Sequence, residues 1–137
     1  MAYVASRMSR FVNWKVSPMT VVLAHTTTPE GVAAQDAALD EARRRGEDLL
    51  VFPLSGQSVT ADEISGDGVQ VSVRLPDGRS RDVVGELLDV AGEVGATCIV
   101  IGLRHRTPVG KLLLGSAAQQ ILLEASVPVI AVKPAQS

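Results

Sequence analysis

The sequence predicts an α/β domain built on a doubly wound, five-stranded parallel sheet of the flavodoxin-like or Rossmann-like kind. Short runs of Val, Leu and Ile alternate along the chain with Ala- and Leu-rich helical segments, in the order β-α-β-loop-β-α-β-α-β. Aromatic residues make up 3% of the chain, as expected where aliphatic strands are covered by Ala-rich helices. A length of 137 residues is enough for one domain with its own hydrophobic core.

The first half of the predicted domain begins with a β-α-β unit. Residues 20–24 form a short apolar run, which is typical of a buried parallel strand. Thr28 is predicted to cap the following helix, with Pro29 as its first residue. Gly46 is predicted to end that helix in a left-handed conformation, directly after three arginines. Residues 49–52 are the second strand.

The connection between the second and third strands is predicted to be shortened. A parallel crossover needs about a dozen residues or more. Residues 55–68 barely meet that minimum and hold at most one helical turn, near residues 61–64. The third strand, Val69–Leu75, alternates apolar and polar residues, so one of its faces is predicted to contact water and to be poorly covered.

The second half supplies two helices and the most apolar strand. Apolar residues recur at helical spacing over residues 83–94, and residues 97–101 form the fourth strand. A loop with glycines and cations then leads to a helix that begins at Ser116. The last strand, Val127–Val132, contains Pro128, which lacks an amide donor and is expected near the strand start or at a sheet edge.

Charge, hydropathy and cysteine content restrict the class of protein. The formal charge of −2 argues against non-specific nucleic-acid binding, which needs a basic surface. No apolar run is long enough to span a membrane, and the N-terminus lacks the pattern of a signal peptide. The single cysteine, Cys98, excludes an internal disulfide and is predicted to be a buried hydrophobic residue. These features predict a cytoplasmic protein.

Residues 1–18 differ from the rest of the chain. They lack a helix or strand pattern and contain Tyr3, Phe11 and Trp14. Two interpretations stay open. The segment is either a partly disordered extension or an arm whose aromatic residues dock on a sheet edge or on a partner chain. The regular domain is predicted for residues 19–137.

The loop from Gly102 to Ser116 is the candidate binding site. In doubly wound sheets, ligands bind beyond the carboxyl ends of the strands, where the strand order reverses, and the first and fourth strands flank that point. Cations occur along the loop, and Gly115-Ser116 opens a helix whose amides attract anions. Phosphate binding is one interpretation. The other is that Ser116 and Gln119 form a capping box that satisfies the helix without a ligand.

The residues around this loop resemble the nucleotide-binding branch of the universal stress protein family. That branch carries the motif G-x-x-G-x9-G-[ST] after the fourth strand, and Gly102, Gly115 and Ser116 match it at the right spacing. The closing strand, residues 128–130, and the segment Ala42-Arg-Arg-Arg-Gly46 are also similar to the family. The resemblance covers residues 19–133.

Two residues of the site depart from the family pattern. His105 stands where the motif has its second glycine, and Thr26 stands near the position of an acidic residue that contacts ribose or adenine. His105 adds bulk near the phosphates but offers a hydrogen-bond donor. Thr26 forms hydrogen bonds but lacks the negative charge of a carboxylate.

The resemblance implies a regulatory module that binds ATP, ADP or another adenine nucleotide weakly, with Mg²⁺ present only if nucleotide is bound. The nucleotide-binding residues that it implies are Thr26, Leu54, Gly102, His105, Gly115, Ser116 and Ala117. It also implies a homodimer paired through the strand Val127–Val132, which would be an aggregation hazard as a bare edge. The alternative is a dimeric stress or scaffold protein that keeps the fold without a working nucleotide site.

No catalytic set emerges from the sequence. His25 and His105 both follow strands that flank the candidate site, but two histidines without a carboxylate at fixed spacing are a weak indication of metal binding or acid–base chemistry. Nucleotide hydrolysis is expected to be slow or absent. We therefore expect a binding protein and not an enzyme.

Overall fold

A computed structural model describes residues 19–56, 59–64, 68–78, 81–104 and 114–134 of the chain. Strands and helices alternate along these residues. In chain order they are β1 (Thr20–His25), α1 (Pro29–Arg45), β2 (Asp48–Pro53), α2 (Ala61–Ile64), β3 (Val71–Val73), α3 (Val83–Glu93), β4 (Ala96–Gly102), α4 (Ser116–Glu124) and β5 (Val129–Val132).

The five strands form one parallel sheet in the order β3-β2-β1-β4-β5. Val22 of the central strand lies opposite Leu50 of β2 on one side and Ile99 of β4 on the other. The strand order reverses between β1 and β4. The predicted five-stranded, doubly wound sheet is therefore confirmed. The reversal lies between the first and fourth strands, as the sequence predicted.

Two hydrophobic clusters fill the space between the sheet and its helices. Successive side chains of a strand point to opposite faces. Val22 and Ala24 of β1 therefore belong to the cluster under α3 and α4, and Val21 and Leu23 belong to the cluster under α1 and α2. All four residues are fully buried. The central strand is thus covered by helices on both faces, and this packing fixes the position of its carboxyl end.

Helix α1 begins and ends as its sequence predicts. The Thr28 hydroxyl accepts a hydrogen bond from the Gly31 amide at 3.2 Å, and Pro29 is the first helical residue. Gly46 takes a left-handed conformation with a φ of 65°, which a residue with a side chain adopts only at a cost. The amide of Glu47 then donates to the carbonyl of Ala42 at 2.9 Å and completes the cap.

The two outer strands are shorter than predicted. Strand β3 contains only Val71–Val73 of the predicted Val69–Leu75, because only those residues lie opposite Leu49–Val51 of β2. Strand β5 begins at Val129, one residue after Pro128, whose missing amide delays the start of the ladder. The expected helical turn in the shortened connection is present as α2, and its Ile64 is buried.

The expected exposure of β3 is also confirmed. Ser72 is exposed, whereas Val71 and Val73 are half-buried on the face that α1 and α2 cover. The predicted N-terminal extension, residues 1–18, lies outside the described residues. Among the helices that the structure describes, none combines the length and hydropathy that a membrane span requires.

Candidate functional site

A cleft of about 140 Å³ lies at the carboxyl ends of β1 and β4, where the strand order reverses. Five of the seven site residues predicted from the sequence line it together. The full lining is Thr26, Thr28, Glu30, Leu54, Ile101, Gly102, Arg104, Gly115, Ala117 and Ala118. Of the other two predicted residues, Ser116 is the first residue of α4 but does not line the cleft, and His105 lies outside the described residues.

The start of α4 differs from the predicted capping box. Gly115, not Ser116, is the N-cap residue, with a φ of −67° and a ψ of 160°, and no side chain makes a capping hydrogen bond. Ser116 is inside the helix, so its hydroxyl is not placed to accept from the third helical amide as a capping box requires. The capping-box interpretation is therefore wrong. The amides in the first turn of α4 point toward the cleft and have no side-chain cap. Free amides at a helix N-terminus favour the binding of an anion.

Arg104 adds a positive charge at this end of α4. It directly follows β4 and is exposed, and its Nε would lie 3.5 Å from a Cβ built on Gly115. The structure shows no ion pair for Arg104 within the ranges that it describes. A guanidinium beside an uncapped helix N-terminus is the arrangement that binds phosphate oxygens.

Gly102 is required by packing inside the protein. A Cβ at this position would overlap the backbone carbonyl of Glu30 in the first turn of α1. The end of β4 therefore approaches α1 more closely than any residue with a side chain allows. A glycine at the end of a strand allows a sharp turn or a close approach to ligand, and in this structure Gly102 also allows the close contact with Glu30.

Glu30 is a cleft residue that was not among the site residues predicted from the sequence. Its position is set by the contact between the first turn of α1 and Gly102. The cleft lining thus includes an acidic residue although Thr26 lacks a carboxylate. No spacing in the sequence indicated this, because Thr26 lies before α1 and the contact that sets Glu30 joins it to the distant Gly102.

The threonines after β1 hold the rim of the cleft in place. The hydroxyls of Thr26 and Thr28 lie 2.9 Å apart, within hydrogen-bond distance, and Thr28 also caps α1. Gly31 allows this turn to pack closely, since a Cβ there would overlap Thr26. Thr26 is therefore a fixed hydrogen-bonding group at the cleft mouth.

His25 and Cys98 are buried titratable side chains that lie outside the cleft. His25 is 7% exposed, and its Nδ1 has no hydrogen-bond partner among the described residues. Burial lowers the pKa of His25, and the nearby Glu63 carboxylate opposes that effect. Burial raises the pKa of the Cys98 thiol, which favours its unreactive form. The described residues contain no group of three metal-binding side chains, and His105 lies outside them.

Comparison with known proteins identifies the family. The model of the universal stress protein family matches residues 13–133 of the chain. A universal stress protein from Mycolicibacterium smegmatis is 40% identical over 128 residues, which cover 83% of this chain and 97% of that protein. The chain therefore belongs to the universal stress protein family, as the residues of its glycine motif predicted.

Solved structures show the same fold. A universal stress protein from Archaeoglobus fulgidus matches with a TM-score of 0.64 and 31% identity, covering 85% of this chain and 98% of that one. The universal stress protein from Archaeoglobus fulgidus in complex with dAMP matches with a TM-score of 0.55 and 23% identity over the same shares. At that identity, the second likeness shows the fold alone.

Proposed function

We propose that this universal stress protein is a regulatory module that binds an adenine nucleotide weakly in the cleft between β1 and β4 and signals as a homodimer. The observation that carries the proposal is the convergence of Thr26, Leu54, Gly102, Gly115 and Ala117 on one cleft at the reversal of strand order. The Archaeoglobus fulgidus complex with dAMP supports adenine nucleotides as the ligand class.

The phosphates belong at the α4 end of the cleft. The amides of the first helical turn have no side-chain cap, and Arg104 lies beside Gly115. Both features favour negative charge. The Ser116 hydroxyl is an additional donor next to these amides. Mg²⁺ enters this proposal only with the nucleotide, because it would be held largely by phosphate oxygens.

The ribose and base belong at the opposite end, near Thr26 and Leu54. Glu30 lies in the same cleft and offers a carboxylate acceptor for a ribose hydroxyl, a role that the resemblance assigned to the position of Thr26. The cleft measures about 140 Å³, whereas small-molecule pockets are typically about 300–1,000 Å³. We therefore expect weak affinity, with a Kd on the order of 0.1 mM.

The proposed dimer uses the edge formed by β5. Within the described residues this strand pairs only with β4, so its outer backbone groups face away from the sheet. Leu122 and Leu123 of the preceding helix are 41% and 76% exposed. An apolar edge strand beside exposed leucines supports pairing with a second copy. The cytoplasmic location expected from the sequence remains part of the proposal.

Isothermal titration calorimetry with ATP, ADP and dAMP tests the nucleotide site. Ser116→Glu places a carboxylate at the start of α4, where it stabilises the helix but repels phosphate. Ser126→Glu is the matched control, because it adds the same charge to an exposed serine beyond the opposite end of α4. Gly115→Val adds a side chain at a backbone conformation that valine tolerates.

We expect heat of binding for the wild type and for Ser126→Glu, and none for Ser116→Glu or Gly115→Val. Millimolar nucleotide that gives neither heat nor a shift in melting temperature would overturn the nucleotide proposal. ATP turnover should not exceed that of Gly115→Val, because the proposal includes no hydrolysis.

The nucleotide-free scaffold remains the second candidate. The observation that favours it is the contact of Gly102 with Glu30, which explains the first motif glycine without any ligand. The same titration decides between the two functions. A dimer that forms without binding nucleotide is the outcome that the scaffold function predicts.

A further inference from the structure

A second cleft, of about 390 Å³, lies between the carboxyl end of β3 and helix α3 and shares no lining residue with the nucleotide cleft. Its apolar part consists of Phe52 and Val90, which are buried, and Leu75, which is 50% exposed. The remaining lining is charged. It comprises Arg74, Asp77, Glu86, Asp89 and Glu93. We call this surface the acidic cleft.

The acidic cleft carries an excess of negative charge. Its four carboxyl groups and one guanidinium leave three formal negative charges. Arg74 is already paired, since its Nη1 lies 3.0 Å from Oε2 of Glu93. Oε2 of Glu86 accepts from the amide of Asp77 at 2.7 Å, whereas its Oε1 is buried without a partner among the described residues. Such a cleft is complementary to a basic segment that also carries apolar side chains.

The short edge strand explains why this cleft is open. On the α3 side of the sheet, the buried cluster draws on β1, β2 and β4 but contains no residue of β3. Ser72, the β3 residue that alternates toward this side, is polar and exposed. Helix α3 therefore covers β2 and leaves a groove along the outer strand.

The chain contains one segment with the matching chemistry. Residues 1–18, which lie outside the described residues, carry Arg7, Arg10 and Lys15 and no Asp or Glu. Their formal charge of +3 equals the excess in the acidic cleft, and the aromatic side chains of Tyr3, Phe11 and Trp14 suit its apolar part. We propose that residues 1–18 dock in the acidic cleft of their own chain.

Connectivity allows this docking. The segment joins β1, whose Thr20 lies opposite Ala96 of β4. Ala96 comes three residues after Glu93, which is the last residue of α3 and lines the acidic cleft. The segment therefore starts at the edge of the sheet where the Glu93 end of the acidic cleft lies. Eighteen extended residues reach roughly 60 Å, which exceeds the diameter of a domain of this size, about 35 Å.

The single tryptophan, Trp14, reports on the docking in the full-length protein. Its emission maximum and its quenching by acrylamide measure burial, and trypsin cleavage after Lys15 measures access to the backbone. Asp89→Lys reverses one exposed charge of the acidic cleft on α3. Asp36→Lys is the matched control, because it reverses an exposed charge on α1 across the sheet.

We expect Trp14 to be protected in the wild type and in Asp36→Lys. In Asp89→Lys its emission should shift to the red, and trypsin cleavage should be about fivefold faster, since an exposed ion pair is replaced by repulsion. A segment with Arg7→Glu, Arg10→Glu and Lys15→Glu should expose Trp14 without touching the folded domain. The experiment contains no nucleotide, so its outcome is independent of the proposed function.

Three results would overturn the proposal. One is a wild-type Trp14 that is quenched as readily as a free tryptophan derivative. Another is an equal response of Asp36→Lys and Asp89→Lys. The third is protection that disappears on tenfold dilution, because the segment would then occupy the cleft of another copy.

Discussion

Replacement of Gly102 by alanine tests whether this motif glycine serves the fold. The added Cβ would overlap the backbone carbonyl of Glu30 in the first turn of α1. A helical backbone, unlike the end of a flexible side chain, relaxes only when the whole turn moves. Gly115→Ala is the matched control, because among the described residues its Cβ would meet nothing closer than Nε of the exposed Arg104, at 3.5 Å.

The magnitude follows from the kind of atom that must move. Overpacking a buried site costs about 1–3 kcal/mol, and a rigid backbone neighbour places Gly102→Ala near the upper end. Reduced freedom of the unfolded chain returns about 0.4–1 kcal/mol in both variants. We expect Gly102→Ala to lose about 2–2.5 kcal/mol and about 10 °C in Tm. At Gly115 the gain from the unfolded chain is offset because alanine is less favourable than glycine at an N-cap, so Gly115→Ala should stay within about 0.5 kcal/mol of the wild type.

Urea denaturation followed by far-ultraviolet circular dichroism gives the free energy of unfolding of each variant. A Gly102→Ala protein as stable as the wild type would refute the packing argument. It would also return the first motif glycine to a role in ligand approach. If Gly102→Ala and Gly115→Ala lost equal free energy of unfolding, the contact with the Glu30 backbone would have no energetic consequence.

Three further predictions concern a buried base, a helix cap and the proposed dimer. Burial lowers the pKa of His25 below 6.5 in the folded state, so the unfolded chain takes up the proton first as the pH falls. The free energy of unfolding should therefore decrease below about pH 6.5, by at most about 1.4 kcal/mol per pH unit. The decrease should be shallower in His25→Leu, and parallel pH profiles of the two proteins would count against this prediction. The Asp82 carboxylate accepts from the Gly85 amide at 2.9 Å, so Asp82→Ala should cost about 1 kcal/mol in urea denaturation, whereas Asp36→Ala on the exposed face of α1 should cost less than about 0.5 kcal/mol. Leu123→Arg should convert the proposed dimer to a monomer in analytical ultracentrifugation without loss of stability. The control Val32→Arg, at a residue 53% exposed on α1, should leave the protein dimeric. An unchanged dimer in Leu123→Arg would exclude Leu123 from the interface.

Local chemistry made much of the fold predictable. The caps of α1 depend on neighbours within four residues, as in the hydrogen bond from the Gly31 amide to Thr28, so the sequence alone revealed them. Buried parallel strands need uninterrupted apolar runs, which identified β1 and β4. The length of β3 was not predictable in this way, because it depends on how many residues lie opposite β2.

The candidate site was predictable in its location and only partly in its chemistry. Strand order in a doubly wound sheet places the site after β1 and β4, and that prediction needed only the alternation of strands and helices. Ser116 followed by Gln119 satisfied the sequence pattern of a capping box, yet the cap is Gly115. Which residue begins a helix depends on backbone angles that a four-residue pattern does not determine.

The sequence by itself determined the family, the order of elements and the two glycines that bound the candidate loop. These properties depend on residue spacing along the chain. Only the tertiary structure decided that Gly102 is required by contact with Glu30, that Glu30 enters the cleft, and that α3 and β3 leave an acidic cleft open. Each of these depends on the distance between segments far apart in sequence, which packing of the helices against the sheet sets.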